Sequence, residues 1–95
     1  MFNPQRGEAA VTIAGAAHRL RFTLGALAEI ESVFDTPEPA ALGGRLKALS
    51  ARDLQAVLAA LLRAGGAAEA DALAADADPR LAAQAVAACL KSNLA

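Results

Sequence analysis

The stretch VTIAGAAHRLRFTLGALAEIE, Val11 to Glu31, changes its hydrophobic period midway, and the change decides the fold. Val11 and Ile13 alternate with small or polar residues, Ala14 to Ala16 surround Gly15 as a turn, and Leu20 and Phe22 alternate again. Period two on both sides of a turn predicts a β-hairpin with one buried face. After Thr23, a good N-cap, the period lengthens: Leu24, Leu27, Ile30, Val33 and Phe34 recur every third or fourth position, as on the apolar side of a helix. Arg19 and Arg21 share the opposite strand face from Leu20, where their charged heads stay in water while their stems cover apolar surface.

Gly25 sits in the first turn of this helix, where it costs stability relative to alanine. Either another backbone passes close to it or it presents bare amides. The tight strand-to-helix corner favours the close approach.

Outward from this unit the signals are those of helix ends. Asp35 to Pro39 (DTPEP) stops the first helix, because proline lacks an N–H donor and disfavours helical geometry in its predecessor. A short helix with Leu42, Leu46 and Leu49 follows, weakened by Gly43 and Gly44. In Leu49–Leu54 (LSARDL), Ser50 can cap the amide of Asp53 and Leu49 can pack on Leu54, which opens a helix with the stripe Leu54, Val57, Leu58, Leu61 and Leu62. Gly65-Gly66 supplies the left-handed residue that closes it. A weak helix around Leu73 carries a solvated acidic edge of Glu69, Asp71, Asp76 and Asp78. Asp78-Pro79 then caps a last helix with Leu81, Val86, Cys89, Leu90 and Leu94.

The expected architecture is α+β: an N-terminal β-hairpin, about 8–22, packed on a bundle of four to five α-helices at about 24–35, 40–48, 51–64, 68–75 and 79–94, in a single domain over 1–95. Its predicted core is Val11, Ile13, Leu20, Phe22, Leu27, Ile30, Phe34, Leu54, Leu58, Leu61, Val86 and Leu90. Of the 95 residues 28 are alanine, so the core rests on a few large side chains and helices can approach closely.

Composition narrows function. A net charge of −1 gives no field to gather nucleic acid or anionic lipid. Met1 to Arg6 lacks the apolar core of a secretory signal, and the longest apolar run, Ala56 to Leu62, is far below the roughly 20 residues of a membrane span. A reducing cytoplasm is the expected location. One His and one Cys cannot build a structural zinc site, and the acids lack the spacing of a calcium loop. Neither glycine pair is followed by the Lys-Ser/Thr of a phosphate loop. His18 shares strand parity with Leu20 and reads as a half-buried imidazole, and Cys89 reads as a small buried hydrophobe. No catalytic, cofactor or metal residues are therefore assigned, and no nucleic acid, membrane or small-molecule substrate is expected. Arg45, Lys47 and Arg52 leave a nucleic-acid-binding regulator as a distant alternative.

An isolated hairpin is marginal in water, so this one must pack on the helices, pair with another copy or accept a guest chain. The residues expected to contact a partner are Arg19 and Arg21 on the hairpin and Leu24 and Gly25 in the first turn of the helix.

The run from Asn3 to Phe34 resembles the N-terminal region of small gene-transfer-agent and prophage tail proteins classed as tail assembly chaperones and also described as tail tube components. The matching elements are Asn3-Pro4, Arg6-Gly7-Glu8, Val11-Thr12-Ile13, Gly15 and the run Leu20 to Glu31, with a weaker continuation through Leu49–Leu54 into the alanine-rich end. The resemblance implies a non-enzymatic protein that binds the tape-measure protein, or another tail protein, during phage tail assembly. It leaves a structural tail tube component as the alternative, with self-association open in either case.

Overall fold

The computed structural model describes residues 8–34 and 49–94. The expected helix at 40–48, the lead-in before Glu8 and the DTPEP stop lie outside the described residues. Within them the fold is α+β, an antiparallel hairpin followed by four helices: β1 (Glu8–Ile13), β2 (Ala16–Arg21), α1 (Leu24–Phe34), α2 (Ala51–Ala64), α3 (Ala70–Asp76) and α4 (Pro79–Leu94).

The hairpin register runs from Glu8 opposite Arg21 to Ile13 opposite Ala16, so the turn has two central residues, Ala14 and Gly15. Both have positive φ, 52° and 83°, the combination that matches the twist of the flanking strands in a type I′ turn. Glycine adopts this freely; Ala14 does so at a cost. The register puts Ala9, Val11, His18 and Leu20 on the inner face and Ala10, Thr12, Ala17, Arg19 and Arg21 on the outer one. Val11, Ile13 and Leu20 are buried, His18 is half-buried opposite Val11, and the outer face is exposed.

Beneath the hairpin, α4 packs against β1 and α2 against β2, while α1, α3 and α4 all pack on α2. This central position explains why Val57 to Leu62 are buried without interruption, where a surface helix would bury a stripe. Seven of the buried residues are alanines, at 26, 59, 60, 70, 74, 82 and 85, and they let the helices close on one another. The buried residues described include no charged or polar side chain, and Cys89 sits among them. Three members of the predicted core, Phe22, Leu27 and Leu54, are only partly buried against its rim.

Local chemistry sets the helix boundaries. The Thr23 hydroxyl accepts from the Ala26 amide at 3.1 Å, the Ser50 hydroxyl from Asp53 at 3.1 Å, and Asp78 Oδ1 from the amides of Arg80 and Leu81 at 2.9 and 3.1 Å. At the end of α2 the Gly66 amide donates to Arg63 and the Ala67 amide to Leu62, the paired bonds of a Schellman closure. Gly66, at φ 103°, is the left-handed residue; Gly65, at φ −80°, keeps a helical backbone.

Gly65 has a different constraint. A Cβ there would stand 2.9 Å from the carbonyl carbon of Arg19 and closer still to its oxygen. The close backbone approach expected at Gly25 occurs here, where α2 ends against β2. Among the described residues a Cβ on Gly25 would meet only the Thr23 hydroxyl, at 3.7 Å, which is ordinary contact.

Candidate functional site

Arg19, Arg21, Leu24 and Gly25 lie along one continuous piece of chain, the outer face of β2 and the first turn of α1, and all four are exposed. Strand alternation sends the two arginines outward because Leu20 between them points into the core. Leu24 is 82% exposed. The buried stripe of α1 is Ala26, Ile30 and Phe34, at i, i+4 and i+8, and it leaves Leu24 on another side of the helix. Val33, also assigned to the apolar period from spacing, is 44% exposed.

Main-chain groups add to this region. Counting back from the two-residue turn, the alternation of hydrogen-bonded pairs directs the N–H and C=O groups of Ala10 and Thr12 away from β2, and those of Ala17 and Arg19 away from β1. On the β2 side, the end of α2 covers the Arg19 carbonyl through Gly65. On the β1 side the described sheet has no third strand. The edge sequence Ala9–Ile13 contains no proline or charged residue of the kind that commonly guards an open edge.

Two further features lie on the helical side. A shallow groove of about 250 Å³ between α2 and α3 is lined by Arg52, Gln55, Ala56, Ala59 and Asp71. Beside it the Arg63 guanidinium reaches Asp71 of α3 at 3.1 Å and Glu29 of α1 at 3.5 Å, linking three helices through exposed ion pairs. Sequence reading missed this bridge because Glu29 and Arg63 are 34 residues apart and neither stands in a local motif. Such exposed pairs contribute about 0–1 kcal/mol each. Cys89 is buried, and desolvation pushes its thiol up to about 11, which keeps it protonated and unreactive near neutrality. Among the described residues no group of three or more His, Cys, Asp or Glu side chains is placed to hold a metal ion, and no helix is long and apolar enough to cross a membrane.

These features define a class: a small α+β domain whose hairpin closes over a central helix, keeps its outer face exposed and, among the described residues, has no partner strand on one edge. Residues 6–95 match the family of phage tail tube proteins described as GTA-gp10, and the chain belongs to that family. No curated protein and no solved structure matches it significantly.

Proposed function

We propose that this protein is a non-enzymatic structural subunit of the tail of a phage-like particle, gathered into the tail tube by contacts with other tail proteins or with further copies of itself. The observation that carries this reading is the family match across nearly the whole chain, residues 6–95. Burial supports it: the apolar side of the hairpin and of α1 is used in the domain's own core, through Val11, Ile13, Leu20, Ile30 and Phe34. The inner side of the hairpin is therefore not open to a guest. Among the described residues, the exposed outer face of the hairpin with Arg19, the β1 edge without a partner strand, and Leu24 are the surfaces this reading assigns to assembly.

A second reading, a tail assembly chaperone that holds the tape-measure protein in the bacterial cytoplasm and then leaves, is favoured by one observation. Leu24 is a large apolar side chain 82% exposed, beside a strand-to-helix corner that a guest could grip.

Quantitative mass spectrometry of purified particles separates the two. A structural subunit is present at many copies per particle. Absence from the particle, with a tape-measure protein that is soluble only on co-expression, overturns the structural reading in favour of the chaperone. The variant Leu24→Ser tests whether the exposed corner takes part: it is expected to keep the wild-type melting temperature and to lower incorporation into particles. Unchanged incorporation removes Leu24 from the contact surface.

A further inference from the structure

We draw no further inference here: the strongest candidate, the open outer edge of β1 with the flat hairpin face of Ala10, Thr12 and Ala17 beside it, carries none because nothing in the structure shows what covers it.

Discussion

Replacing Gly65 by alanine tests the contact that seats the hairpin on the central helix. Gly65 has φ −80° and ψ −3°, a conformation open to any residue, so the backbone itself sets no penalty. Restricting the unfolded chain would by itself stabilise the alanine variant by about 0.4–1 kcal/mol. Packing works against this. The new methyl carbon would stand 2.9 Å from the Arg19 carbonyl carbon and closer to the oxygen, and both are backbone atoms of a paired strand that cannot rotate aside. Either the end of α2 lifts from β2 or the strand shifts over Leu20, and overpacking of this kind costs about 1–3 kcal/mol.

Subtracting the unfolded-state gain leaves a net loss of about 0–2.6 kcal/mol. For a domain of this size, at about 4–8 °C per kcal/mol, the melting temperature falls by up to roughly 20 °C. Thermal unfolding followed by far-ultraviolet circular dichroism measures it, with Gly66→Ala as the comparison. At Gly66 nothing described lies within 4 Å of a built Cβ, so that variant carries only the left-handed backbone penalty of about 1–2 kcal/mol. The discriminating readout is on the hairpin: Gly65→Ala accelerates amide exchange in β2, while Gly66→Ala leaves β2 and loosens the end of α2. A Gly65→Ala protein as stable as the wild type, with β2 equally protected, would refute the close approach.

Other expectations follow from single features. Ala14→Asn places a residue tolerant of positive φ at the first turn position and should stabilise by up to about 1 kcal/mol, visible as a higher melting temperature; a decrease would mean that the two-residue turn is not formed. Asp78→Ala removes the acceptor of two amide hydrogen bonds at the start of α4 and should cost about 1 kcal/mol in urea unfolding, against no change if the cap is idle. The Cys89 thiol should resist a thiol-specific reagent at pH 8 in the native protein and react fully on unfolding, and rapid native labelling would contradict its burial. Its folded pKa of about 11 lies above the ordinary 9.0, so the unfolded chain loses this proton first. The contribution of Cys89 to stability is therefore complete below pH 9 and declines as the pH rises toward 11, a loss that Cys89→Ala should lack.

What could be read from the sequence was whatever is written in short-range chemistry. Thr23, Ser50 and Asp78-Pro79 each announce a helix start through a side chain that bonds amides two or three residues on, and the alternation around Gly15 announces the hairpin. The outward placement of Arg19 and Arg21 followed from strand parity with Leu20. Alanine hid the rest of the core. With 28 alanines spread through the chain, nothing local separates buried Ala59 and Ala60 from exposed Ala83 and Ala87; only the crowding of α2 by β2, α1, α3 and α4 does. The glycines show the same limit, because a strand-to-helix corner and a helix terminus both admit glycine. Which of Gly25 and Gly65 touches another backbone is settled by tertiary packing.

The choice between a retained subunit and a departing chaperone turns on where apolar surface is left. A chaperone for an amphipathic helix needs a groove that accepts side chains at i, i+3 or i+4 and i+7, which extends over about two turns, roughly 10 Å of helix. Among the described residues, the groove between α2 and α3 has about 250 Å³, below the roughly 300–1,000 Å³ typical of small-molecule pockets. At that volume it is too small to hold such a face. A tube subunit has a different requirement. It repeats one contact many times, so each contact can be modest provided that the surfaces presenting it are held rigidly by the fold. The hairpin meets that condition, with Val11, Ile13 and Leu20 anchoring its inner side in the core and Gly65 locking α2 against β2. Its outer face is thereby held at a defined height and angle above the helices, as the repeated contact of the proposed structural role requires.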